Sequence, residues 1–326
     1  MNKLLITGAN GFLGKAVLRE IEKNSVCFDS ISTFRSSQYD LRRIEGIKSV
    51  LSDKKPDTII HLAATVGGIG ANAASPGTFF YENLIMGTQL IEEARLSGVK
   101  KFVLISTICA YPKFTPVPFK EKDLWNGYPE ETNAPYGIAK KALMIQLESY
   151  KKQYGFHGIS LLPVNLYGPE DNFNLQSSHV IPAMIRKMHI AKENSDSNVT
   201  LWGDGSPSRE FLYVEDAARA VRLATENYNS PDPVNLGSGM EISMKKLADM
   251  VKKAVGFEGE IIWDASKPNG QPRRCLDVSK AKQFGFTANM TLPMGLEITY
   301  KWFQDHMKEI ENSEQAGASI GHGVSK

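Results

Sequence analysis

The sequence predicts a doubly wound α/β fold with a smaller carboxy-terminal α/β lobe. Three observations carry this. Short apolar runs alternate with helical stretches through the first half, a glycine loop joins the first run to the first helix, and proline- and glycine-rich loops dominate the second half.

Lys3 to Thr7 is a brief apolar run halted by glycine, as a parallel strand covered on both faces requires. Gly8-Ala-Asn-Gly11-Phe-Leu-Gly14 follows directly, and a helical stretch runs from Lys15 to about Lys23. A second strand ends near Phe34, a third spans Asp57 to Ala63 and a fourth Phe102 to Thr107. Between the last two lies a long helical pattern from about Phe79 to Leu96. Such alternation produces right-handed crossovers and a Rossmann-type parallel sheet. Ile159–Pro163 and Val234–Gly237 read as later strands. Leu201–Pro207 and Ser266–Pro272 read as loops suited to surround a ligand. Residues 1–165 are therefore expected to form the nucleotide domain, with sheet strands returning near 234–237. Residues 166–311 are expected to be mainly a substrate lobe, and 312–326, rich in Ser, Gly and Ala without periodicity, a disordered tail.

Composition excludes several classes. The 326 residues are 42% hydrophobic and 23% charged, with a formal net charge of +2 and no basic block. Nothing there suits nucleic acid or an anionic membrane. Cys27, Cys109 and Cys275 are odd in number, far apart and without metal-ligand spacing, which fits reduced thiols in a cytoplasmic protein and no metal. No apolar run approaches the roughly 20 residues of a membrane span. The amino terminus enters a strand at once, leaving no room for a signal peptide.

The glycine loop stands between a strand and a helix, which is where a dinucleotide fingerprint belongs. Gly8 permits the tight turn, Gly11 admits a pyrophosphate, and Gly14 lets helix and strand approach. Asn10, Phe12 and Leu13 complete the loop and open a helix whose free amide groups favour an anion. After the second strand the chain offers Arg35 and two serines, and no acid until Asp40. An NAD site usually places a carboxylate there, whereas a 2′-phosphate calls for arginine, so NADP is favoured. Leu41 and Ala63 are assigned with Asp40 to the same cradle.

Tyr136 and Lys140 stand about one helical turn apart, on one helix face. A nearby ammonium favours the phenolate and lowers a tyrosine from its usual pKa of ~10. Such a phenol can exchange a proton with a sugar oxygen while a nicotinamide exchanges hydride. The pair alone is common by chance, so the rest of the chain must decide.

His61-Leu-Ala-Ala64, Ser106-Thr-Ile-Cys-Ala-Tyr-Pro112, Tyr136-x-x-x-Lys140 and Asn165-Leu-Tyr-Gly-Pro169, in that order, resemble the extended short-chain dehydrogenase/reductases. Val66–Asn72, Ser178–Pro182, Trp202–Phe211 and Trp263–Arg273 narrow the resemblance to the GDP-L-fucose synthase family, and it covers all but the final tail. The resemblance implies that a GDP-4-keto-6-deoxy-mannose is inverted at C3 and C5 and then reduced at C4 with NADPH, giving GDP-L-fucose. It implies Cys109 as base and His179 as acid; a thiol serves that role beside positive charge. Tyr136 would protonate O4, Lys140 would lower the phenol and bond the nicotinamide ribose, and Thr107 would bond O4 where the family usually has serine. Asn165 is assigned to cofactor and substrate alike, and His179 is counted with the cofactor as well. Lys187, Trp202, Arg209 and Lys267 are assigned to the GDP half, with Arg273 adding charge, while Asp216 is read as a helix cap. Asn10 replaces an arginine common beside the 2′-phosphate, so NAD stays possible, and Thr65 replaces a usual lysine. The family also implies a homodimer that pairs the Tyr136 helix with the helix at about 79–96, through apolar positions such as Phe80, Leu84, Leu90 and Ile91. Alternatives are a relative acting on a colitose- or heptose-type GDP-keto sugar, an epimerase that recycles its cofactor, and a non-catalytic nucleotide sensor. Sensors typically lose the Tyr/Lys pair that this chain keeps.

Overall fold

Six parallel strands form the central sheet in the computed structural model, which describes residues 2–267 and 269–315. β1 (Lys3–Thr7) passes through the glycine loop into α1 (Phe12–Asn24), and β2 (Ser30–Thr33) precedes α2 (Ile44–Lys54). β3 (Thr58–His61) is followed by a short α3 (Ile69–Ala74) and a long α4 (Pro76–Leu96). β4 (Lys101–Ile105) ends in a 3-10 turn at Ile108–Ala110; a second such turn at Glu121–Trp125 leads towards α5 (Ala134–Tyr154) and β5 (His157–Pro163). The chain then leaves the sheet through β6 (Asn165–Tyr167), α6 (Val180–Glu193), β7 (Asn198–Trp202), β8 (Ser208–Tyr213) and α7 (Val214–Asn227). It returns as β9 (Val234–Leu236) and finishes with β10 (Glu241–Ser243), α8 (Met244–Val255), β11 (Glu260–Asp264), α9 (Ser279–Lys282) and α10 (Leu292–Gln315).

The sheet order is β2-β1-β3-β4-β5-β9. Every residue of β3 and all but the first of β4 are buried, because helices cover both faces: α1 packs with α7, and α4 with α2 and α5. β1 bonds β2 on one edge and β3 on the other, so the chain turns away in opposite directions beyond β1. A crevice opens at that switch point, outside the carboxyl ends of the strands. Its two banks are pinned by Thr7, whose hydroxyl lies 2.8 Å from His61 Nδ1 and accepts the Ala63 N–H at 3.2 Å. Burial holds His61 far below its usual pKa, at about 3, so the ring is neutral.

The smaller lobe is built on the sheet β10-β8-β6 and the parallel pair β11-β7. Its core, including Phe173, Ile185, Met188, Val251 and Phe303, is separate from that of the large sheet. Residues 312–315, expected in a disordered tail, continue α10 instead; the remainder of that tail, 316–326, lies outside the described residues. Asp216 does not cap α7: its carboxylate sits inside the first turn and accepts the N–H groups of Asn289 and Met290 at 2.9 and 2.8 Å, tying the entry of α10 to the large domain. Among the described residues no helix is long and apolar enough to cross a membrane, and no group of three His, Cys, Asp or Glu could hold a metal.

Candidate active site

The glycine loop is as tight as its spacing demands. Gly8 has a φ of 72°, and a methyl group built on it would stand 2.6 Å from Ala63 N. One built on Gly14 would stand 2.0 Å from Gly8 O, whereas at Gly11 the nearest atom is 3.4 Å away, leaving room for a ligand. No side chain caps α1, so its first amide groups face the crevice together with the positive end of the helix dipole. Asn10, Phe12, Leu13, Leu41 and Ala63 line the same cleft. Asn10 Nδ2 donates to Phe34 O at 3.4 Å, which steadies the strand end carrying the exposed Arg35. Asp40 grips Arg42 with both oxygens, at 2.9 and 3.0 Å, and Arg42 reaches on to Glu82 at 3.2 Å. That pairing holds the Asp40 carboxyl below its usual range, and Thr65 joins the network by donating to Glu82 at 2.6 Å. Arg42, which composition and spacing did not single out, thus puts a second guanidinium on this wall. The cradle fits a dinucleotide.

Facing it, α5 rests directly on the 3-10 turn after β4. A methyl group on Gly137 would lie 2.4 Å from Cys109 O, so only glycine lets the helix sit so close. Thr107 caps that turn by accepting the Cys109 N–H at 3.1 Å, and its hydroxyl hydrogen-bonds the Tyr136 phenol. The expectation that Lys140 lowers the phenol is overturned. Burial, and secondarily the nearby Cys109, push Tyr136 well above its ordinary value, only partly opposed by the bond to Thr107. The ammonium donates instead to Ile105 O at 3.0 Å and lies 5.9 Å from the phenol ring, and burial pushes Lys140 itself down to about 8. Desolvation outweighs a charge already turned towards a strand carbonyl. The phenol is therefore held protonated.

Cys109, half-buried, and His179, at the amino-terminal cap of α6, line one cavity of about 1170 Å³ with Thr107, Tyr136 and Lys140. The positive charge beside the thiol comes from a residue the sequence did not mark: Arg274 Nη1 stands 3.8 Å from Cys109 Sγ. Its neighbour Arg273, read as the added charge, is instead paired with Glu241 at 2.9 and 2.6 Å. Seven buried side-chain oxygens lack a partner among the described residues, and four of them (on Asn72, Ser106, Asp171 and Ser178) belong to cavity-lining residues. A polar ligand would satisfy them.

The other wall carries the residues assigned to the nucleotide. Arg209 is fixed by Ser208 O at 2.7 Å, and burial, with Arg274 nearby, brings it down to about 10. Lys187 lines the cavity and reaches Thr200 O at 3.3 Å, while Asn165 donates to Glu210 O at 3.0 Å. Trp202 stands at the rim, 64% exposed. Lys267 is the exception among the assigned residues: it is not part of the cavity wall, and its ammonium lies 5.8 Å above the Trp202 ring.

A doubly wound sheet, an uncapped helix opening on its switch point, and a hydroxyl, phenol and ammonium converging on the cleft define a dinucleotide-dependent enzyme of the epimerase and reductase type. The chain belongs to the NAD dependent epimerase/dehydratase family, whose model matches residues 4–237. It is 41% identical over 301 residues to GDP-L-fucose synthase 1 of Arabidopsis thaliana, covering 92% of this chain and 93% of that protein. In structure it is similar to a GDP-6-OMe-4-keto-L-xylo-heptose reductase from Campylobacter jejuni, with a TM-score of 0.87, 29% identity and coverage of 94% and 98%. A GDP-L-fucose synthetase from Naegleria fowleri bound to NADP matches with a TM-score of 0.85, 28% identity and coverage of 94% and 95%.

Proposed function

We propose that the protein inverts C3 and C5 of GDP-4-keto-6-deoxy-D-mannose and reduces C4 with NADPH, yielding GDP-L-fucose. The observation that carries this is the meeting of Cys109, His179 and the Thr107–Tyr136–Lys140 group on one cavity. When bound, the dihydronicotinamide supplies hydride. The 4-keto group acidifies the protons at C3 and C5; Cys109 removes them and His179 returns a proton on the opposite face. Tyr136, held protonated, donates to O4 during reduction, and Thr107 positions that oxygen. Arg209 and Lys187 take the diphosphate, Trp202 the guanine, and the exposed Arg35 supports a 2′-phosphate over a bare ribose. In this reading residues 1–165, with 234–237, hold the cofactor, and 166–311 hold the sugar nucleotide.

The test is incubation with the keto sugar and NADPH in deuterated water, followed by NMR of the product. Deuterium at both C3 and C5 is expected; incorporation at neither would sink the reading. The likeness to a heptose reductase favours a second substrate, a GDP-keto-heptose, which turnover without deuterium at C5 would select.

A homodimer through α4 and α5 belongs to the same reading. Leu90 and Ile91 are fully buried in their own core and cannot serve it; Phe80, Tyr81, Ile145 and Tyr154 are exposed on these helices and can. Ile145→Glu should convert the dimer to monomer in sedimentation. Three free cysteines support a cytoplasmic location.

A further inference from the structure

We infer that Arg274, held in place by Gln271, is the residue that makes Cys109 a base; this rests on the epimerase reading above. Gln271 is buried and its amide donates to Lys113 O at 2.5 Å, so its own oxygen is fixed in direction. That oxygen accepts Arg274 Nε at 2.7 Å, which aims Nη1 at the sulfur 3.8 Å away. The guanidinium therefore meets the thiol through a rigid relay anchored on backbone.

Two other groups interact with the sulfur. Tyr136, from α5, is neutral, raised by burial and only secondarily by Cys109. Arg209, from β8, interacts with Cys109 but is itself influenced by Arg274 and Glu130 and is bonded to Ser208 O. Arg274 is the cation in hydrogen-bond contact with the sulfur. In the step it supports, the C–H bond beside the 4-keto group breaks, its electron pair moves into the enolate, and the proton goes to the thiolate. The guanidinium in contact with the sulfur offers the thiolate a counter-charge before that step. Arg274 is thus a positioning residue acting through Cys109.

Two readouts test it on the full-length protein: the pH dependence of Cys109 alkylation by iodoacetamide, followed by mass spectrometry with the exposed Cys27 as internal reference, and deuterium wash-in at C3 and C5. Arg274→Gln should move the alkylation limb of Cys109, and not of Cys27, to higher pH, and should slow wash-in about tenfold or more at neutral pH. Arg274→Lys, which keeps the charge, should recover much of both. Should Arg274→Gln not fold, Gln271→Ala frees the same guanidinium and should shift the limb in the same direction. An unchanged limb in both variants overturns the inference. A shifted limb in a protein whose wild type shows no wash-in sinks the epimerase reading and leaves the role of Arg274 standing.

Discussion

Spacing alone puts Lys140 beside Tyr136, but spacing does not say where an ammonium turns once the site is closed. Here it turns to Ile105 O, and burial raises the phenol's pKa while lowering the ammonium's. The neutral phenol is the form needed to give a proton to O4. Tyr136→Phe should cut C4 reduction, followed as NADPH oxidation, by about a hundred- to ten-thousand-fold. Deuterium wash-in at C3 and C5 should persist, because Cys109 and His179 remain; equal loss of both would remove Tyr136 from the reduction step. Gly8, Gly11, Gly14, Tyr136 and Lys140 were legible because each belongs to a motif whose partners are close in sequence. Arg274 was not, since 165 positions separate it from the sulfur it touches. It also lies in an irregular loop, where no periodicity distinguishes it from Arg273.

Helix α5 does two jobs at once: its first turns carry Tyr136 and Lys140, and its Gly137 bears on the turn that holds Cys109. An added methyl there has no flexible side chain to displace, only the Cys109 carbonyl at 2.4 Å and Ala110 beyond it. Gly137→Ala should therefore shift the thiol turn against the phenol, costing about 1–3 kcal/mol of stability as an overpacked contact. Wash-in should fall more than NADPH binding, measured by fluorescence titration, because the clash bears directly on the Cys109 turn. Loss of cofactor affinity with intact wash-in would contradict this. Strands and long helices of the large sheet were legible from apolar runs and the 3.6-residue period. The role of Asp216 was not: a carboxylate near a helix start reads as a cap, yet its bonds go to backbone more than seventy positions away.

Across the whole molecule, folding buries ionisable groups that burial drives in opposite directions. Asp171, with one unpartnered oxygen, is pushed from 3.8 up to about 8; Lys140 and Lys101 are pushed from 10.5 down to about 8. A carboxyl with a raised folded pKa binds protons the unfolded chain has released, so its contribution to stability declines as pH climbs from about 4 to about 8. A lysine with a depressed folded pKa does the reverse: its cost is full below about 8 and is relieved as pH approaches 10.5. His61, lowered from 6.5 to about 3, adds stability with rising pH between those values and opposes Asp171 there. Asp171 is therefore opposed by His61 up to about pH 6.5 and acts without that opposition from there to 8. Asp171→Asn keeps the acceptor for Asn172 N–H and removes the titration. Its stability relative to the wild type, from urea denaturation midpoints, should grow steadily from pH 4 to pH 8 and then stay level. Lys140→Met should differ from the wild type by a constant amount below pH 8 and by a changing amount from there to 10.5. A difference for Asp171→Asn that is flat across pH 4 to 8 would mean that this carboxyl is already ionised in the folded protein, its charge met by water or a counter-ion within the cleft.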